Sequence, residues 1–378
     1  FNYYHYYIYY HLYSFDIFCW NYTNRAKNDT ECSFKKDKIP IFSQMNNLQN
    51  FKDYLLKQQI DFEESVSLKK KTWIKRGGVT NFWVLPNTEN KLSSICIYCY
   101  KHQIHFEIVG HTSNLYFYND YHPFIVITTV HLTNYIVHDT EIECEPGTPV
   151  AKLANQCIKQ GFIGYEGFIG LPGTIASAVY NNSSCFGSYM SDIFIKATFL
   201  QEDSHIKDIF LNDLKYTQRS SALKRKELRG VILKVFLKRN QTEHPQQLID
   251  KAIENKKIRN KTQEGPLNNL GSICGTISGY RKSTKNLIVR SLLKIYTIIN
   301  HPSDYQKHKF TKKLILTIYR RKKLSKYISD YNMNCFIWKD DNADIHFNSY
   351  IALMKKVYHM EDDNLEIELK VNQNKVSK

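Results

Sequence analysis

The sequence lacks the cysteine spacing of a disulfide framework. Its nine cysteines are an odd number scattered over 378 residues, which is typical of reduced thiols in a cytoplasmic protein. A chain of this length can form two domains and a substantial core, so a small disulfide-stapled module is excluded. The closest pair, Cys96 and Cys99, lies in an apolar helical pattern without partners for a redox or zinc site. We expect both to be buried apolar residues, and we expect no metal.

The first residues also lack the features of a targeting segment. Residues 1–20 are rich in Tyr, Phe and His, but they have neither the basic start nor the small-residue cleavage site of a signal peptide. They are too polar to predict a membrane span. Met45 opens the first segment with globular patterning, so we expect residues 1–44 to lie outside the working fold.

Acidic residues are scarce relative to basic ones. The chain has 36 Asp and Glu against 52 Lys and Arg, a formal net charge of +16. Such a balance indicates anionic partners, namely nucleotides, nucleic acid or a membrane surface. Charge alone does not choose among them.

Helical and strand patterns alternate from Met45 onward, which predicts an α/β or α+β fold. Residues 80–86, 105–110 and 123–132 read as strands, and residues 48–59 and 91–104 as helices. Another helix is predicted with Thr148 as N-cap, Pro149 at its first position and Gly161 after its end. The polar run 241–263 predicts a boundary between domains.

Two loops carry glycine and small polar residues, "VGHTSN" and "GLPGTIASAVYNN". A strand that ends in glycine followed by short polar residues lets backbone N–H groups converge on an anion such as a diphosphate. The first loop alone is weak evidence, because strand-to-loop turns of Gly, Thr, Ser and Asn are common for purely conformational reasons. Two in one domain indicate a phosphate-bearing ligand.

These stretches resemble the UDP-N-acetylenolpyruvoylglucosamine reductase (MurB) family, flavoenzymes of peptidoglycan precursor synthesis. "GHTSNL" is similar to the family's Gly-Gly-Gly-Ser-Asn-Leu pattern, and "GLPGTIASA" to its Gly-Ile-Pro-Gly-Thr-Val-Gly-Gly-Ala pattern. The resemblance covers most of the chain from Met45 to Val371. It implies an α+β protein with a two-lobed FAD-binding domain of the vanillyl-alcohol oxidase (PCMH) type at 45–240. A MurB-like C-terminal α/β substrate domain is implied at 241–378.

The resemblance also implies which residues hold FAD. The first loop would hold the diphosphate and the second would line the flavin; the residues are Gly110, His111, Thr112, Ser113 and Asn114, then Gly170, Pro172, Gly173, Thr174, Ala178 and Asn182. The family usually has glycine at position 111. Related flavoproteins attach FAD through a histidine in this loop, so the alternatives for His111 are a covalent bond, a hydrogen bond to the diphosphate and a cap on the loop.

Three further motifs imply the catalytic residues. In this family NADPH reduces the flavin, hydride passes to the enolpyruvyl double bond of a UDP-sugar, and the resulting enol is protonated. By resemblance, Arg219 in "YTQRSS" binds the substrate carboxylate, Ser272 in "LGSICG" donates the proton, and Glu368 in "LEIELKV" takes the place of the catalytic glutamate. Without the resemblance, Ser272 reads as a turn residue and Glu368 as an exposed strand carboxylate.

The expected protein is therefore a cytoplasmic reductase of the enolpyruvyl ether of UDP-N-acetylglucosamine that uses FAD and NADPH and binds no nucleic acid. Tyr331 and Asn332 replace a Lys-His pair of the family. These departures leave three alternatives: a paralogue acting on another nucleotide-sugar in surface-polysaccharide synthesis, a simple oxidase, or a non-enzymatic binder of polyanions or membranes that kept the flavin fold.

A basic helical stretch at about 290–327 stands where the family has a shorter connection. One interpretation is a solvated insertion with apolar residues packed on the domain. The other is contact with a membrane surface or an acidic glycan-lipid partner.

Overall fold

The structure is a computed structural model that describes the backbone of residues 41–265, 268–274, 286–358 and 370–372. The chain divides into two units, residues 1–53 and 54–378. In the first unit the described backbone is helical and belongs to α1 (Ile41–Lys57). Most of the stretch 1–44 lies outside the described residues, so its predicted place outside the fold stays a prediction.

Strands and helices alternate through the second unit, as the sequence pattern predicts. The strands up to the second glycine loop are β1 (Asp61–Ser67), β2 (Val79–Leu85), β3 (Phe106–Val109), β4 (Leu115–Phe117), β5 (Ile125–Thr128), β6 (Tyr135–Val137) and β7 (Glu141–Cys144). The later strands are β8 (Ser184–Cys185), β9 (Ser188–Tyr189), β10 (Phe194–Gln201), β11 (Ile206–Phe210), β12 (Gly230–Lys238), β13 (Asn269–Ser272), β14 (Cys335–Ile337) and β15 (Lys370–Asn372).

The helices fall between these strands. They are α2 (Glu89–Lys101), α3 (Val150–Lys159), α4 (Ile175–Asn181), α5 (Met190–Ile193), α6 (Leu211–Leu214), α7 (Pro245–Thr262), α8 (Leu287–Asn300), α9 (Asp304–Ile318) and α10 (Ala343–Tyr358). Short 3₁₀ turns occur at Leu68–Lys70, Glu166–Phe168 and Lys322–Tyr327.

The first sheet has the strand order β1-β2-β5-β3 and carries the first glycine loop. Strand β5 pairs in parallel with both β2 and β3, and α2 forms part of the crossover connection that parallel strands require. Thr88 caps α2 by accepting the N–H of Lys91. Cys96 and Cys99 are fully buried on this helix, which confirms the prediction of buried apolar thiols. Burial raises the pKa of Cys99 to about 12.

The second sheet is antiparallel, with the order β11-β10-β12-β7-β6. Its inner face shares one apolar core with α3 and α4; the members include Ile142, Leu153, Val179, Phe199 and Val235. The core fixes both helices against the sheet. The loops that precede α3 and α4 are thereby held at one edge of this lobe.

The C-terminal part is built around the antiparallel pair β13–β14 and α10. Its core includes Ile273, Phe336, Trp338, Phe347 and Tyr350. The side chain of Asn334 is fully buried there. It donates to the carbonyl of Cys274 at 2.8 Å and accepts the Cys274 N–H at 2.9 Å. This two-bond clamp fixes the end of the strand that carries Ser272.

The start of α3 differs from the sequence expectation. Pro149 is the N-cap of α3, with an extended ψ of 123°, and the helix begins at Val150. The predicted cap, Thr148, instead donates its hydroxyl to the carbonyl of Asn134, because a neighbouring loop offers it an acceptor. Gly161 follows the helix end with φ +79°, as predicted. The polar run 241–263 contains α7, and the domain boundary proposed there stays a prediction.

Candidate active site

A cavity of about 1820 Å³ lies in the second unit and brings the predicted motifs together. Both glycine loops line it, and so do Arg219 and Ser272. Pockets for one small ligand usually have roughly 300–1,000 Å³. This cavity therefore has room for a dinucleotide and a second ligand.

The first glycine loop follows directly from β3. Thr112 adopts the left-handed region with φ +55°, a conformation in which successive N–H groups converge. Its hydroxyl accepts the backbone N–H of Trp73 at 2.8 Å. This hydrogen bond anchors the loop to the segment that contains Trp73. The other loop residues, Gly110, His111, Ser113 and Asn114, also line the cavity.

The second glycine loop is anchored to the segment before α3. Val150 donates to the carbonyl of Gly173 at 3.1 Å, and Ile175 donates to the carbonyl of Thr148 at 2.9 Å. Gly173 has φ +114°, which favours glycine. Helix α4 starts after this turn, and Ser177 accepts the N–H of Thr174 at 3.0 Å.

The two loops touch each other. A Cβ added at Gly110 would lie 2.5 Å from Thr174 Oγ1 and 2.8 Å from its Cγ2. The imidazole of His111 forms a hydrogen bond with the backbone of Gly173. Burial lowers the pKa of His111, and this hydrogen bond opposes the effect. His111 therefore links the two loops, and covalent attachment to FAD stays one of the three alternatives for this residue.

Helix α4 turns only part of its surface to the cavity. Gly170, Pro172 and Thr174 line it together with Ser177 and Asn181, which lie four residues apart on one helix face. Three other residues predicted to contact flavin, Gly173, Ala178 and Asn182, are outside the lining residues. Their predicted role in FAD binding stays a prediction.

Ala178 is buried in the core, and Asn182 serves the loop that carries Arg219. The amide of Asn182 donates to the carbonyl of Thr217 at 3.0 Å. Ser221 donates to the carbonyl of Tyr180 at 2.7 Å. These two bonds fix the arginine loop to α4.

Arg219 is half-buried at the cavity wall with φ +58°. A second guanidinium lies nearby, because Arg259 donates to Cys185 Sγ at 2.9 Å. Burial raises the pKa of Cys185, and the positive charges of Arg259 and Arg219 oppose that shift. Two arginines therefore make this end of the cavity suited to an anion. Arg259 is not among the site residues predicted from the sequence, because it lies in the polar run before the C-terminal part.

Ser272 ends β13, where it pairs with Cys335 of β14. Glu264 lines the same cavity and accepts a hydrogen bond from the hydroxyl of the buried Ser329 at 2.6 Å. Glu264 is also not among the predicted site residues, although it lies shortly before the stretch "LGSICG" that contains Ser272. The predicted catalytic glutamate, Glu368, lies outside the described residues.

The residues present fit FAD. Close contact between the loops leaves space only for glycine at position 110, and small residues such as Ala176 and Ser177 allow a ligand to approach the backbone. The polar loop residues suit a diphosphate, and the large cavity suits a dinucleotide. When bound, FAD supplies hydride transfer.

Residues 80–209 match the family model described as an FAD binding domain. The fold and this match define an FAD-dependent oxidoreductase. A UDP-N-acetylenolpyruvoylglucosamine reductase from Bacillus pumilus is 31% identical over 218 residues, which are 57% of this chain and 71% of that protein. One from Anoxybacillus flavithermus is 29% identical over 253 residues, 66% of this chain and 82% of that protein. The chain belongs to the UDP-N-acetylenolpyruvoylglucosamine reductase family.

A solved structure supports the same fold. The crystal structure of UDP-N-acetylenolpyruvylglucosamine reductase (MurB) from Thermus caldophilus aligns with 83% of this chain and 100% of its own, with a TM-score of 0.56 and 19% identity. The α+β fold class with an FAD-binding domain and the flavoenzyme assignment are confirmed. The non-enzymatic alternative finds no support among these relatives.

Gly110→Ala is expected to weaken FAD binding. The new methyl group would meet the buried Thr174 side chain, and overpacking of this kind costs about 1–3 kcal/mol. The affinity for FAD is measured by the quenching of flavin fluorescence during titration. We expect roughly tenfold weaker binding or more, in line with that energy.

Gly265→Ala is the matched control, because its Cβ would meet nothing within 4 Å although Gly265 also lines the cavity. Adding Thr174→Ala removes the two nearest atoms that Gly110→Ala approaches, so the double variant should recover part of the affinity. Unchanged FAD binding by Gly110→Ala would show that the loop contact does not shape the cofactor site.

Proposed function

We propose that this protein uses NADPH to reduce the enolpyruvyl ether of UDP-N-acetylglucosamine. The observation that carries the proposal is the shared cavity: the two glycine loops, Arg219 and Ser272 line one space large enough for a dinucleotide and a second ligand. The choice of substrate is supported by the two relatives described above, which are UDP-N-acetylenolpyruvoylglucosamine reductases.

Arg219 is the proposed partner of the substrate carboxylate. A planar guanidinium can bind a carboxylate with two hydrogen bonds. Arg259, which donates to Cys185, adds positive charge near this thiol. As the double bond is reduced, negative charge develops next to the carboxylate. The two guanidinium groups would stabilise this charge.

Ser272 is the proposed proton donor. Reduction adds one hydride and one proton across the enolpyruvyl double bond, and the serine hydroxyl supplies the proton. A free serine hydroxyl is a weak acid, so a polarising neighbour is required. By resemblance this neighbour is Glu368. Among the described residues, Glu264 is a carboxylate that lines the cavity.

The proposal is tested with the FAD-loaded protein, NADPH and the enolpyruvyl ether of UDP-N-acetylglucosamine. We expect NADPH oxidation that depends on the ether, and a product that carries two more hydrogens by mass spectrometry. Omission of the ether under anaerobic conditions is the control. Bound FAD without ether-dependent NADPH oxidation would contradict the proposal, and rapid reoxidation of the reduced flavin by oxygen alone would indicate an oxidase.

A further inference from the structure

The helices α8 and α9 form a helical hairpin, here residues 286–328, whose outer surface is unusual for a globular enzyme. The two helices run antiparallel: Tyr296 stacks on Phe310 with ring centroids 3.9 Å apart, and Asn286 at the start of α8 donates to Tyr319 after the end of α9. Val289 is fully buried and packs in the C-terminal core. The hairpin is thus fixed to the protein through its inner face.

The outward face of α8 is apolar. Ile288, Leu292, Ile295 and Ile299 recur at the spacing of one helix face, and Leu287 and Ile298 widen that face. These six side chains are 40–72% exposed. The solvent face of a globular helix is usually polar, and contiguous exposed apolar surface marks an interaction site.

Basic residues surround this apolar face. The hairpin contains eleven Lys and Arg and one acidic residue, Asp304. Arg290 and Lys294 are exposed on α8 itself. Further exposed basic residues follow α9, near the start of α8; they are Arg320, Arg321, Lys322 and Lys323.

We propose that the outward face of α8, with these basic residues, binds the surface of a bilayer that contains anionic lipid. Apolar side chains enter the boundary between headgroups and acyl chains, while Lys and Arg contact the anionic headgroups. A second copy of the chain would bring like charges together. Nucleic acid would contact the basic residues but would leave the apolar side chains on the outward face of α8 exposed to water.

The hairpin lies on the membrane and does not cross it. Helix α8 has 14 residues, a length of roughly 21 Å at 1.5 Å per residue, whereas the hydrocarbon core is about 30 Å thick. Among the described residues, no helix combines the length and apolar character that crossing a membrane requires.

The test is cosedimentation of the full, FAD-loaded chain with vesicles. We expect binding to equimolar phosphatidylglycerol and phosphatidylcholine, weaker binding at high salt, and little binding to phosphatidylcholine alone. The triple variant Leu292→Ser, Ile295→Ser, Ile299→Ser should bind at least about tenfold more weakly, because each lost apolar side chain removes buried area. FAD content and reductase activity in solution report that the variant is folded.

The matched control is Ile206→Ser with Phe210→Ser, which removes exposed apolar side chains from β11 and should leave vesicle binding unchanged. The combined variant Arg320→Gln, Arg321→Gln, Lys322→Gln, Lys323→Gln should bind vesicles more weakly and with a smaller salt dependence. Lys69→Gln with Lys70→Gln should change neither. Three results would overturn the proposal: vesicle binding by the triple variant that equals wild type, no binding of the wild-type protein to anionic vesicles, or analytical sedimentation showing that the face forms a dimer and does not bind vesicles.

Discussion

Replacing Ser272 by alanine is expected to lower kcat for the enolpyruvyl ether by about 10²–10⁴-fold, the contribution of a positioned proton donor. Ser272 is half-buried and lies in β13, whose end is fixed by the Asn334 clamp. Alanine fits this strand position, so the loss should be chemical and not structural.

Rapid mixing without oxygen separates the two halves of the reaction. NADPH should reduce the flavin of Ser272→Ala at the wild-type rate, while the reduced flavin should be reoxidised slowly by the ether. Ser325→Ala removes an exposed hydroxyl and serves as the control. A wild-type rate of reoxidation in Ser272→Ala would assign the proton to another group, and Glu264 would then be the next residue to replace.

Arg219→Met is expected to reduce kcat/KM by about 10- to 150-fold for each charge-assisted hydrogen bond lost, since such a bond contributes about 1.5–3 kcal/mol. Lysine keeps the charge but not the planar fork, so Arg219→Lys should recover part of the loss. FAD binding should not change in either variant.

Steady-state kinetics of both variants with the ether check this result. A rise in KM alone would mean that Arg219 binds the ground state, whereas equal losses in kcat and kcat/KM would mean that it acts in the transition state. Arg321→Met removes an exposed arginine of the hairpin and should behave as wild type. If Arg219→Met also has wild-type kinetics, Arg259 becomes the candidate residue for binding the substrate carboxylate.

Local sequence signals predicted much of the fold and both cofactor loops. Strand β3 ends at Val109, directly before the predicted loop, because β-branched and apolar residues give way to glycine and short polar residues. The buried Cys96 and Cys99 follow from the apolar pattern of α2. Each of these features depends on neighbours in the chain, which a sequence pattern records directly.

Features that depend on distant contacts were missed. The hydroxyl of Thr148 donates to the carbonyl of Asn134 and does not cap α3. Because Asn134 lies 14 residues earlier in the chain, no local sequence pattern reveals this hydrogen bond. Ala178 follows the motif yet packs in the core, whereas Ser177 and Asn181 are among the α4 residues that line the cavity. Arg259 reaches the cavity from a helix whose sequence reads as a solvated polar run.

The clamp between Asn334 and Cys274 has a consequence for how this enzyme can change. The two hydrogen bonds hold Cys274 and Asn334 together, so the two ends of the stretch between them stay close in space. The entropy of closing such a loop grows only slowly with its length, by about 0.6 kcal/mol for each doubling. Segments can therefore be lengthened or exchanged there during evolution while the serine-bearing strand keeps its register.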